Sequence, residues 1–168
     1  MTVPTDSPPW LIGSWLIVVE RPELVDEMLG RDDSHAGVAL LALVLNHPDP
    51  LVVTARVSRG LASPSAQNRA NALQSLGHHA RLHGSIDARS VSRLRRALRD
   101  RTPLHGSELR GYAADAGDDI GTFVRRRELP RWLRRRFPGP RRPARLRLPA
   151  SRRASGAASE QHERRGGG

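Results

Sequence analysis

Apolar residues recur along this chain at helical spacing, and the most complete unit runs from Leu61 to Gly84. Ala66, Ala70, Leu73, Gly77 and Ala80 fall three or four residues apart, with Arg69, Asn71, Gln74 and Arg81 between them and Leu76 widening the stripe. That is the period of an amphipathic α-helix. Ser63 followed by Pro64 predicts its start, because a serine oxygen satisfies an orphan backbone donor and proline's fixed φ suits the first helical position. Gly84 is placed to end it in a left-handed cap. A stripe made mostly of alanine and glycine lets a neighbouring helix approach closely, so the flanking segments are expected to pack on this one.

Those segments carry the same periodicity. Pro22 opens a short helix with Glu23, Asp26 and Glu27 in its first turns, where the helix dipole favours acids, and Gly30 closes it. Asp33 or Ser34 caps a second helix with Val38, Leu41, Ala42 and Leu45 on one face. The run Asn46-His47-Pro48-Asp49-Pro50 must break it, and Pro50 starts a third helix striped by Val53, Val57 and Leu61. After the central unit, Asp87 caps a helix bearing Val91, Leu94 and Leu98, with arginines at 89, 93, 95, 96 and 99 over the rest of its surface. Thr102 to Gly106 reads as a loop. A last helix, from about Ser107 to Arg126, presents Leu109, Tyr112, Ala113, Ala116, Ile120, Phe123 and Val124.

Two stretches stand apart from this pattern. Trp10 to Val19 is the most apolar run; it reads as a buried helix or a strand, and helix is favoured because no partner strand is evident. Ten residues are too few to span a bilayer, and the acidic flanks do not suit a secretory signal, so a cytoplasmic protein with no transmembrane segment is expected. Beyond Arg127 prolines punctuate a mixture of Arg, Ala, Ser and Gly that cannot bury enough apolar surface to offset its ordering entropy. Disorder is expected from about Gly139, with Arg131 to Phe137 forming a short amphipathic turn anchored by Trp132, Leu133 and Phe137. The organisation read from this is an irregular N-terminus over residues 1–7, a helical domain over 8–127 and a basic tail over 128–168.

Leu61, Ser63-Pro64, Arg69, Ala72 and Ser75-Leu76-Gly77 resemble the consensus of HEAT-type repeats, in which a leucine, an Asp/Ser-Pro turn, an arginine and a terminal Ala-Leu-Gly recur within helical pairs. Ala97 to Asp100 with Tyr112 to Ile120 resembles the closing unit of short bacterial HEAT-like proteins. The resemblance spans roughly residues 40 to 124; the family's apolar residue before the arginine is Asn68 here. It implies an all-α fold, a right-handed α-helical repeat or α-solenoid, with a concave face that binds a macromolecular partner. A non-enzymatic protein-binding adaptor is the function it implies, with an immunity protein covering a toxin as one form.

Composition changes the picture in two respects. There is no cysteine, which excludes disulfides and thiolate chemistry. All 28 basic residues are arginine, and they are unevenly placed: residues 1–120 carry 13 arginines against 14 acidic residues, while residues 121–168 carry 15 against 3. A roughly neutral body thus bears a cationic end, and the net charge of +11 belongs to that end. Arg93, Arg96, Arg126, Arg131 and Arg135, interleaved with Trp132 and Phe137, are the candidate interaction residues, because guanidinium groups neutralise phosphates and aromatic rings stack on bases. Nucleic acid bound through the arginine helix and the tail is therefore the alternative partner to a protein.

Other constellations favour structural roles. His79 and His83 share a helix face at i and i+4, but no glutamate follows as in HExxH and no third ligand is fixed by sequence. Glu108, Asp115, Asp118 and Asp119 form an acidic patch expected to pair with the arginines of the Val91 helix. Neither a nucleophile elbow nor a phosphate-binding glycine loop occurs, so no enzyme and no cofactor is expected.

Overall fold

The structure is a computed structural model that describes residues 21–140 of the 168. The Trp10 to Val19 run and the tail from residue 141 lie outside the described residues. Seven α-helices account for most of the rest: α1 (Pro22–Gly30), α2 (Ala36–Asn46), α3 (Pro50–Gly60), α4 (Ala66–His83), α5 (Ala88–Ala97), α6 (Leu109–Phe123) and α7 (Arg131–Arg136). A two-residue antiparallel ladder, β1 (Pro103–Leu104) with β2 (Ser107–Glu108), joins α5 to α6. A 3-10 turn, Arg126–Glu128, precedes α7.

The helix read as central from its stripe is central in space. α4 packs most extensively on α6 and α2, and then on α3. Contacts follow two rows, α2–α4–α6 and α1–α3–α5, with each successive pair α1/α2, α3/α4 and α5/α6 also touching. Small residues allow the closeness. A Cβ on Gly77 of α4 would lie 2.7 Å from Asp119 Oδ2 of α6, and one on Gly37 of α2 would lie 2.7 Å from the Asn71 Cβ of α4. The core runs along both rows and includes Leu40, Leu43, Leu73, Leu76, Leu94 and Ile120, all at most 1% exposed.

Helix ends follow the turn chemistry of the sequence, with shifts. Pro50 sits behind Asp49, whose side chain accepts from the Leu51 N–H. Asp87 accepts from the Arg89 and Ser90 amides, and Gly84 closes α4 at φ 63°. The cap of α4 is Ser65, not Ser63, so the helix begins two residues later than Ser63-Pro64 implied. Ser63 is used in the turn instead: its Oγ donates to Asp32 and accepts from the Ser65 N–H. The segment read as loop and helix start at 102–108 is the β1–β2 hairpin, whose turn residues His105 and Gly106 both have positive φ, as a type I′ turn requires.

The α2 face was misplaced by the periodicity. Leu45 is 46% exposed and Val38 and Leu41 are only partly buried, while Ala36, Gly37, Ala39, Leu40, Ala42, Leu43 and Val44 are buried. An almost wholly apolar helix, packed by α1, α3 and α4 together, has no polar face from which to read its orientation. Packing also continues past Arg127. Leu129, Leu133 and Phe137 are buried, with the Phe137 ring seated on Gly117 of α6 and its backbone and Cβ on Gly121, so α7 is a layer of the body.

Candidate anion-binding surface

The surface is built by two helices with buried anchors and outward arginines. On α5, Leu94 and Ser90 are fully buried, and the helical period then turns Arg89, Arg95 and Arg96 to solvent, with Arg93 half-buried beside them and Arg99 exposed in the turn that follows. On α7, Leu133 faces α6, which leaves Arg131, Arg135 and Arg136 exposed and Arg134 partly so. Trp132 lies between the two sets. The Arg95 guanidinium stands over its ring, 5.6 Å from the centroid, a cation–π contact that ties α5 to α7. Arg95, Leu98, Arg99, Trp132 and Arg136 line a cleft of about 230 Å³ at this seam.

The acids that form ion pairs are engaged elsewhere. Asp26 takes Arg56 and Arg59, Asp100 takes Arg69 at 3.5 Å, Asp119 takes Arg81 at 3.0 Å, and Glu108 takes Arg110. Among the described residues, no carboxylate lies within 4.0 Å of a guanidinium nitrogen of Arg89, Arg93, Arg95, Arg96 or Arg99, nor of Arg131, Arg134, Arg135 or Arg136. The expected pairing of the α6 acids with α5 is therefore corrected: Asp119 pairs with α4, Glu108 with its neighbour two residues on, and Asp115 and Asp118 face solvent.

A second cleft, about 490 Å³, opens between α5 and the α3–α4 connection, where Arg93, Arg96 and Arg99 face Arg69 and Asp100. Arg93, which lines it, has its Nη1 buried without a hydrogen-bond acceptor. Burial holds its guanidinium below the ordinary arginine value, Arg89 and Arg96 push the same way, and Asp87 acts against them.

Of the residues singled out by sequence, Arg93 and Arg96 stand on α5 and Arg131, Trp132 and Arg135 on α7. Arg126 reaches back to the Pro138 carbonyl at 3.4 Å, and Phe137 is 6% exposed, its ring part of the core rather than of an open stacking platform. Arg95, Arg99 and Arg136, which line the seam, were not singled out. The i, i+4 spacing of Arg95 and Arg99 was the available signal; the place of Arg136 depends on how α7 docks.

His79 and His83 lie with ring centroids 4.8 Å apart, and His79 is 2% exposed. No group of three or more His, Asp or Glu side chains able to hold a metal ion occurs among the described residues. The Thr54 hydroxyl donates its proton to the Pro50 carbonyl, so its 3.2 Å contact with His79 Nε2 assigns the imidazole N–H to that nitrogen. His79 Nδ1 is then a buried acceptor with no partner. Desolvation lowers its pKa to about 4, with neighbouring His83 adding to the effect and Asp87 opposing it.

Comparison with protein-family models, with curated proteins and with solved structures finds no match. No helix among the described residues is long and apolar enough to cross a membrane.

Proposed function

We propose that this protein is a non-enzymatic binding module that docks the phosphate backbone of nucleic acid on the arginine surface of α5 and α7. The observation that carries this reading is the set of nine arginines on α5, the turn after it and α7 with no carboxylate partner among the described residues, where the other arginines are mostly paired. Unpaired guanidinium groups on rigid helices are pre-organised donors, and each phosphate they neutralise releases counterions. Trp132 holds Arg95 in place at the seam, which favours fixed registration over loose charge attraction. The expected signature is duplex binding whose logarithmic affinity falls linearly with logarithmic salt. Fluorescence anisotropy of a labelled duplex at rising salt tests it; affinity that is absent, or unchanged by salt, ends the reading.

A second reading is favoured by the two rows of paired helices. Such a stack fits the HEAT-type repeat that the sequence resembles, and with it a protein-binding adaptor of the toxin-immunity kind. Here the arginine surface would meet an acidic protein. A salt-sensitive complex with an acidic protein, and none with duplex DNA, would select this reading over the first.

A further inference from the structure

Resting on the nucleic-acid reading, we infer that the cleft between α5 and the α3–α4 connection is a site for a phosphate dianion that adjoins the backbone-docking seam at Trp132 and shares Arg99 with it. Three cations, Arg93, Arg96 and Arg99, line one wall without any carboxylate partner among the described residues. The opposite wall is internally satisfied. Arg69 gives Nη1 to the Ser63 and Pro64 carbonyls and Nη2 to Asp100. Asp100 Oδ1 is taken by the Thr102 amide and hydroxyl, and these bonds hold its carboxyl below its usual range. The one acid in the cleft is thus already neutralised, and the excess positive charge belongs to the α5 wall.

Two features distinguish this cleft from an ordinary arginine surface. Arg93 Nη1 is a buried charged donor with no hydrogen-bond acceptor, balanced only at longer range by Asp87, and an anion in the cleft would give it one once the guanidinium turns outward. Buried Leu73 and Leu109 contribute to the lining, and an apolar floor strengthens charge-assisted hydrogen bonds above it. At about 490 Å³ the cleft lies within the size range of small-ligand sites, roughly 300–1,000 Å³, so it has room for more than the phosphate itself. A dianion with three terminal oxygens suits three guanidinium groups better than the singly charged diester of an internal backbone link. The ligand chemistry is therefore a phosphate monoester, carried by a 5′-phosphorylated strand end or by a free mononucleotide.

The test uses the full chain and three probes: inorganic phosphate, adenosine 5′-monophosphate, and a duplex with either 5′-phosphate or 5′-hydroxyl ends. Titration calorimetry is expected to show one phosphate site, and the 5′-phosphorylated duplex to bind about tenfold tighter than its 5′-hydroxyl twin. Arg93→Gln should remove both effects, bringing the 5′-phosphorylated and 5′-hydroxyl duplexes to equal affinity, whereas Arg95→Gln at the seam should weaken both duplexes and leave the end preference intact. If Arg93→Gln does not fold, Arg96→Gln, at an exposed position, provides the same comparison. Tight binding of the mononucleotide with no end preference on the duplex assigns the site to a free nucleotide. Duplex binding with no phosphate site and no end preference overturns the inference and leaves the backbone reading standing; a phosphate site without duplex binding does the reverse.

Discussion

Asn68 and His79 carry more of the fold than their residue types suggest. Asn68 is fully buried on α4, where its Oδ1 accepts from the Gly37 N–H at the start of α2 and its Nδ2 donates to the Asp33 carbonyl. The position that departs from the HEAT-type consensus therefore acts as a cap supplied from a neighbouring helix, which no local sequence rule anticipates. Asn68→Ala leaves the buried Gly37 N–H without an acceptor, while the Asp33 carbonyl keeps the Ala36 N–H, and is expected to cost about 1–3 kcal/mol, read as a lower urea midpoint at unchanged slope. For His79, the unfolded chain takes up a proton near pH 6.5, while the folded chain resists until about pH 4. Between those values the unfolded state holds the extra proton, so stability falls as pH falls through that window, by up to about 3 kcal/mol. Urea denaturation at pH 4.5 and 7 should show this loss in the parent and a much smaller one in His79→Gln.

At the scale of elements, the helices with a polar face were legible and those without one were not. The α4 stripe and the α5 contrast between Leu94 and its arginines needed only periodicity, and the starts at Pro22, Pro50 and Asp87 needed only capping chemistry. The orientation of α2 escaped because its apolar residues run nearly all round, and the hairpin at 103–108 escaped because two-residue strands have no period. α7 was legible as an amphipathic turn through Trp132, Leu133 and Phe137, but its docking depends on Gly117 and Gly121 of the preceding helix. Gly117→Val puts side-chain atoms where the Phe137 ring lies and should displace α7 from α6. A loss of about 1–3 kcal/mol is expected, with faster tryptic cleavage at Arg125 to Arg127. An unchanged cleavage rate would mean that the Phe137 contact does not hold α7.

Across the whole molecule, charge was legible as a total and misleading as a map. Counting by segment placed the cations in the tail, and eight arginines do lie beyond residue 140. The described body nevertheless has its own cationic face, because Asp26, Asp100, Asp119 and Glu108 pair with Arg56, Arg59, Arg69, Arg81 and Arg110 and none pairs with the arginines of α5. Near-neutral net charge thus conceals a segregated surface. The core tolerates no charge of its own: Leu76→Asp, at a position 1% exposed between α4 and its neighbours, should unfold most of the helical signal in circular dichroism.

The most direct test of the arginine surface is the salt dependence of duplex binding, compared between the full chain and the same chain carrying Arg95→Gln, Arg99→Gln and Arg136→Gln. With the tail intact in both, a difference reports on the folded face alone. The expected result is weaker binding of the triple variant at every salt concentration, with the slope of log affinity against log salt reduced by about one for each arginine that contacts phosphate. Equal affinity and equal slope in the two chains would contradict the assignment of binding to α5 and α7.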